Sequence, residues 1–417
     1  MLDGQTNSQS LAEPPHYSAR NTFRIFYSCR KANDQFCVVT MNVEDILTAL
    51  IAFPSIVGTP NSAIVDWISD YAKAHGGRVH VLPGPEGDRA NLFITVGPRE
   101  NVPGYILSGH MDVVPAGEAD WLSDPFKLHK SGTKLYGRGT TDMKGFLAAA
   151  LAALPKLASS ELQRPVHLAF SYDEEAGCRG VPHLLEALPG LCAKPLGAII
   201  GEPSGMRAVR AHKGKAAARL EVIGRSGHSS RPDLGLNAVH AMANVIARAT
   251  IYARTLESGP FDSSFEPPYS SLQFGVVSGG QAVNIIPDRC IADVEVRAIS
   301  GCSPVALLEP VREELLSLRA QGFEVHWHEL SAYPALSLPE TSDLAGLLVE
   351  LTGQECKGAV SYGTEAGLYQ QAGIDAIICG PGEIGRAHRP NEYIEIAELH
   401  ACQTMIEKLG TRLTASN

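Results

Sequence analysis

No apolar run in this chain approaches the ~18–20 residues that a membrane span needs, so no membrane partner is expected. No apolar stretch followed by a small-residue cleavage site opens it, so a secretory segment is not expected either. No Cys-x-x-Cys pair occurs, and the nine cysteines make an odd count. A chain of this length does not need stapling by disulfides. Cys178, Cys192, Cys290, Cys302 and Cys379 lie in or beside apolar segments and read as reduced thiols of a cytoplasmic protein. Basic clusters are also missing: Lys and Arg occur as scattered pairs, and the formal net charge is −10. No nucleic-acid partner is expected of such a surface.

What is present is core material. Hydrophobic residues make up 44% and charged residues 19% of 417 positions. That length suits two domains, or one large domain carrying an insert. Residues 1–41 stand apart. They are polar, contain Pro14-Pro15 and show no period, so a disordered extension is expected, with Met41 as an alternative start. Asp3, Glu13 and Asp34 dilute its basic residues, which argues against a targeting peptide.

Beyond that point the pattern becomes regular. Ile64, Trp67, Ile68 and Tyr71 follow the i, i+3, i+4, i+7 spacing of an amphipathic helix, ending near Gly76-Gly77. Short apolar runs at 105–107, 166–172, 198–200 and 376–378 read as buried strands, and 146–157 as an Ala-rich helix. The alternation predicts an α/β domain with helices on both faces of a mixed sheet, spanning 42–210 and 332–417. Residues 211–331 differ. Strand 216–223, helix 236–256, strands 272–277 and 290–298, helix 305–319 and strand 324–330 give β-α-β-β-α-β, the order of a ferredoxin-like insert.

Several chemically capable side chains follow the apolar runs. His110, Asp112, Asp142, Glu174, Glu175, Glu202 and His388 all lie at or just after such segments. In open α/β sheets the ligand crevice lies beyond the carboxyl ends of the strands, so these groups are expected to converge. Singly, each reads equally well as a surface acid or a loop histidine. His110 and Asp112, two apart on an extended segment, share one face. Asp142 follows the glycine-rich Tyr136-Gly137-Arg138-Gly139; it could bridge two cations, or merely cap the next helix. Asp173-Glu174-Glu175 places three like charges in a row, a repulsion that bound cations would relieve and that a solvated turn would also tolerate.

Taken together, His110-Met111-Asp112, Gly137-Arg138-Gly139-Thr140-Thr141-Asp142-Met143-Lys144-Gly145, Asp173-Glu174-Glu175, Gly201-Glu202-Pro203-Ser204 and Ala387-His388 resemble the dinuclear-zinc aminoacylase/carboxypeptidase family. The resemblance covers nearly all of the chain from about residue 42. It implies two Zn²⁺ ions, with Co²⁺ as a substitute. One would be held by His110, Asp142 and Glu202, the other by Asp142, Glu175 and His388. Asp112 would orient His110, and Glu174 would be the general acid/base. The insert resembles the family's dimerisation lid, which implies a homodimer. There, Ser226-Gly227-His228-Ser229-Ser230 matches the motif whose histidine reaches the partner's active site. Gly279-Gly280 and Asn284-Ile285-Ile286-Pro287 match further lid motifs, with Asn284 a substrate contact. Arg297 matches the arginine that receives a substrate carboxylate.

Within the family, Phe170 to Cys178, Tyr362-Gly363-Thr364-Glu365-Ala366-Gly367, Gly380-Pro381-Gly382 and Ala387-His388-Arg389-Pro390-Asn391-Glu392 are most similar to the acetylornithine deacetylases. That similarity implies hydrolysis of the acetyl amide of an N-acetylated amino acid, in arginine biosynthesis. Glu365 and Asp173 become candidates for holding the substrate's ammonium group. Diaminopimelate desuccinylases, general aminoacylases and dipeptidases of the same family are the neighbouring alternatives. A non-catalytic binder of amino-acid derivatives is the alternative from another class.

Overall fold

The computed structural model describes residues 41–98, 101–117 and 119–414. The expected N-terminal extension lies outside them. The largest feature is a nine-stranded mixed sheet. In spatial order it runs Arg78–Pro83, Ala90–Val96, Val166–Ser171, Tyr105–His110, Gly197–Pro203, Ala376–Gly380, Val209–His212 and Leu336–Ser337; Lys357–Val360 also pairs with Val209–His212. Four central strands, Val166–Ser171, Tyr105–His110, Gly197–Pro203 and Ala376–Gly380, are mutually parallel. Their side chains are buried on both faces, which is why they read in sequence as continuous apolar runs.

Alternate side chains point to opposite faces of this sheet. Ile106, Ala198, Ile200, Ala376 and Ile378 pack with Val181, Leu184, Ala366 and Tyr369 of two short helices. The opposite face receives the helix Lys144–Ser159, which packs in turn against Ile396–Arg412. Its approach is close. A Cβ at Gly201 would fall 2.0 Å from the Phe146 ring, so only glycine fits there.

Residues 214–333 form a separate four-stranded antiparallel sheet in the order Ser271–Gly279, Arg289–Ala298, Gly214–Ile223, Glu324–Tyr333. With the helices Ala238–Leu256 and Pro304–Ser317 on one face, this is the ferredoxin-like arrangement. It has its own core, in which Ala218, Leu220, Val294 and Val296 meet Met242, Val245, Val311 and Leu315. Cys178, Cys192, Cys290, Cys302, Cys356, Cys379 and Cys402 are free thiols. No helix among the described residues is long and apolar enough to cross a membrane.

Candidate active site and metal centre

The parallel strands deliver their loops to one edge of the sheet. His110 is the last residue of its strand, Glu202 stands near the end of Gly197–Pro203, and the Asp173-Glu174-Glu175 run follows Ser171. Asp142 comes from the loop before Lys144–Ser159, and His388 from the loop after Ala376–Gly380, with a left-handed backbone at φ +58°.

These groups meet. His110 Nε2 lies 3.1 Å from Asp142 Oδ1 and 3.7 Å from Glu202 Oε1. His388 Nε2 lies 3.2 Å from Asp142 Oδ2 and 2.9 Å from Glu175 Oε1. Asp142 therefore turns one oxygen toward each imidazole. Donor atoms of His110, Asp142 and Glu175 all fall within 4.8 Å of one another, and so do those of His110, Glu174 and Glu202. Except for His388, which is exposed, and the partly covered Glu174 and Glu175, the cluster is buried.

Four carboxylates thus surround two imidazoles, and their ionisation shows the crowding. Burial, reinforced by Glu175, Asp112 and Asp142 against the pull of His110, raises Glu174 to about 8. Burial and the Asp142 charge push Glu202 well above the usual carboxylate range. For Asp142 burial opposes ionisation, but hydrogen bonds from His110 and His388 outweigh it and hold the acid below its usual range. Hydrogen bonds to Asp142 and Glu175 lift His388 to about 10. Protons here soften an excess of negative charge.

Residues 106–412 match the profile of peptidase family M20/M25/M40. The acetylornithine deacetylase of Yersinia pseudotuberculosis serotype O:1b is 33% identical over 378 residues, covering 88% of this chain and 96% of the relative. That of Photorhabdus laumondii is 32% identical over 387 residues, 89% of this chain and 97% of the relative. The chain belongs to peptidase family M20/M25/M40. It is therefore a metal-dependent hydrolase of amide bonds. The fold agrees. An M20 family metallo-carboxypeptidase from Sulfolobus solfataricus superposes with a TM-score of 0.73 at 19% identity, over 90% of this chain and 99% of its own. A dinuclear metal-binding M20 peptidase from Bacillus subtilis does so with a TM-score of 0.62 at 15% identity, over 89% and 97%.

The donor set of this M20 member suits a divalent cation. Imidazole nitrogen and carboxylate oxygen are the ligands zinc takes in such sites. Two cations would offset the acids more fully than protons do.

The surrounding residues refine what the sequence suggests. Asp112 does not orient His110 mainly through its carboxylate. The Nδ1 atom of His110 lies 2.9 Å from the Asp112 main-chain oxygen and 3.6 Å from its carboxylate. That carboxylate instead accepts the Glu174 and Glu175 N–H groups, each at 3.1 Å, and so fixes the acidic loop. Glu365 and Asp173, the candidates for a substrate ammonium, already have partners within the folded chain. Glu365 is buried with its two oxygens accepting from Ser108, inside one central strand, and Ser171, the last residue of another. Asp173 accepts from the Gly58 N–H at 2.8 Å and pairs with Arg89 at 2.6 Å. Both acids are committed because burial demands partners for every oxygen.

The candidates from residues 214–333 stand in two places. Arg297 is partly buried, its Nε 2.9 Å from Glu295 and its Nη1 3.4 Å from the Tyr333 hydroxyl. Its sheet abuts the acidic loop. A Cβ at Gly177 would lie 2.1 Å from Ser331 Cβ, and Arg179 donates to the Leu330 carbonyl at 3.2 Å. His228 and Asn284 stand elsewhere, exposed on a short ladder in which Gly227–His228 pairs with Ile285–Ile286. The structure does not bring His228 to the cluster; its Nδ1 lies 2.7 Å from Ser230 Oγ.

Two contacts carry no sequence signal of their own. The Cys178 thiol donates to Glu174 Oε1 at 3.3 Å, and Glu392 clasps the Asp142 loop. Both residues lie in segments that resemble the deacetylases, yet neither has a side chain that announces a role.

Proposed function

We propose that this chain removes the acetyl group from N2-acetyl-L-ornithine, releasing acetate and L-ornithine. The observation that carries the chemistry is Asp142, with one oxygen toward His110 and the other toward His388. The substrate rests on relatives named acetylornithine deacetylase that align over nearly their whole length.

In this reading His110, Asp142 and Glu202 hold one Zn²⁺, and Asp142, Glu175 and His388 hold the other, with Co²⁺ able to substitute. Two such ions would lower the pKa of a water to about 7 and polarise the acyl carbonyl. Glu174 takes the proton of the attacking water and returns it to the departing amine nitrogen. Asp112 holds Glu174 in register through the loop N–H groups. Arg297 meets the substrate α-carboxylate, for which a guanidinium offers two parallel hydrogen bonds. His228, with Asn284 beside it, acts from the partner subunit of a homodimer formed through the four-stranded unit of residues 211–331, and stabilises the oxyanion. The catalytic unit is then 42–210 with 332–417. A cytoplasmic place and a role in arginine biosynthesis complete the proposal.

A panel of amide substrates tests it. Zinc-loaded protein is expected to turn over N2-acetyl-L-ornithine with a kcat/KM at least ~10-fold above that for succinyl-diaminopimelate, N-acetyl-methionine or simple dipeptides, a gap of ~1.4 kcal/mol in transition-state binding. A higher value for any of the others reassigns the substrate. Inertness toward every one of them favours a non-catalytic binder.

A further inference from the structure

We propose that Glu392 is a positioning residue for the metal centre, setting the main chain that carries Asp142 and tying it to the loop that carries His388. The inference rests on the metal-binding reading above. One buried carboxylate takes four donors. Its Oε2 accepts from Arg138 Nη1 and from the Gly139 N–H, each at 3.0 Å. Its Oε1 accepts from the Thr141 N–H at 2.8 Å and the Asp142 N–H at 3.1 Å. The loop that aims Asp142 is therefore wrapped around Glu392, which stands four residues after His388.

The surrounding contacts close the same clasp. The Gly137 N–H donates to the Glu392 carbonyl at 3.0 Å, and Thr141 Oγ1 donates to the Tyr393 carbonyl at 2.6 Å. Arg138 also reaches the Arg389 carbonyl at 3.3 Å and the Pro115 carbonyl at 3.2 Å. Its guanidinium thus joins the loops after His110 and His388. Arg138 and Glu392 are each about 1% exposed, so water does not stand in for a lost partner. Gly139, at φ +85°, lets the backbone curl so that three N–H groups point inward.

Glutamine at 392 has the right shape and the wrong chemistry. Its amide has one acceptor oxygen, and its NH₂ group would face two donors. Two of the four donors would lose their acceptor in either orientation, so the loop is expected to loosen. A carboxylate that merely filled space would leave metal binding untouched.

The test is calorimetric titration of Zn²⁺ into metal-free protein, with hydrogen exchange at the amides of Gly139, Thr141 and Asp142. The parent is expected to take two ions per chain and to protect these amides even without metal. Glu392→Gln is expected to bind zinc ~10–100-fold more weakly, the range for changes beyond the direct ligands. Its three amides should exchange faster, and its kcat should fall while KM stays near the parent's. Unchanged affinity together with unchanged exchange overturns the proposal. Should Glu392→Gln fail to fold, Arg138→Lys is read by the same titration: weaker zinc binding supports the clasp, and parental affinity overturns it. If the parent itself binds no metal, the functional reading falls, while exchange at the three amides still tests the hold of Glu392 on the loop.

Discussion

Glu174→Gln is expected to lower kcat by ~10²–10⁴-fold, the usual contribution of a positioned acid/base group, while metal content stays that of the parent. The glutamine amide keeps the shape of the side chain and cannot carry the proton. Burial discourages the charged form of Glu174, which suits the proton-exchanging role proposed for it, while the Cys178 thiol donates to one of its oxygens. The rival role is that of a metal ligand, since Glu174 lies with His110 and Glu202 within 4.8 Å. Metal analysis separates the two. Loss of one ion per chain in Glu174→Gln would make it a ligand and leave the proton transfer without an owner.

Mixing two inactive proteins is expected to restore activity. His228→Ala should lose ~10²–10³ in rate, as removal of an oxyanion donor does elsewhere. In the folded chain His228 is exposed and its imidazole is hydrogen-bonded to neighbouring Ser230, which fits a residue that works on another copy. In a two-fold dimer of Glu174→Gln and His228→Ala, one site has an intact Glu174 and receives an intact histidine across the interface. Random exchange makes half of the dimers mixed, so about a quarter of parental activity should return. No recovery after subunit exchange, verified by mass, would place His228 in its own chain's chemistry or in none. A monomer by sedimentation would remove the proposal altogether.

The central strands were legible because burial on both faces writes a strand as an unbroken apolar run; the ferredoxin-like order was legible from strands that alternate buried and part-exposed residues around two helical stretches. The positions of His110, Glu175, Glu202 and His388 follow the rule that loops at strand ends share one crevice, whereas Asp142 arrives from the loop before the helix Lys144–Ser159. Other features were not legible, each for a physical reason. The pair Arg78–Pro83 and Ala90–Val96 lies at the edge, where the first strand is largely open to water and loses the apolar signature. Glu365 and Asp173 looked like substrate contacts because sequence shows a charge but not its partners; Ser108, Ser171, Gly58 and Arg89 become their neighbours only on folding. Asp112 lies beside His110 as its spacing requires. Which of its oxygens does the orienting depends on where the Glu174 and Glu175 amides fall, some sixty residues away. Glu392 was hidden for the same reason: its four donors come from residues 138–142.

The most direct test is anomalous diffraction from cobalt- or zinc-loaded crystals. Two peaks per chain are expected, ~3.5–4 Å apart as in other two-metal sites. One should lie among His110, Asp142 and Glu202, and the other among Asp142, Glu175 and His388, with an Asp142 oxygen on each ion. A single ion that Asp142 does not share with a second, or ions held away from these side chains, would contradict the account.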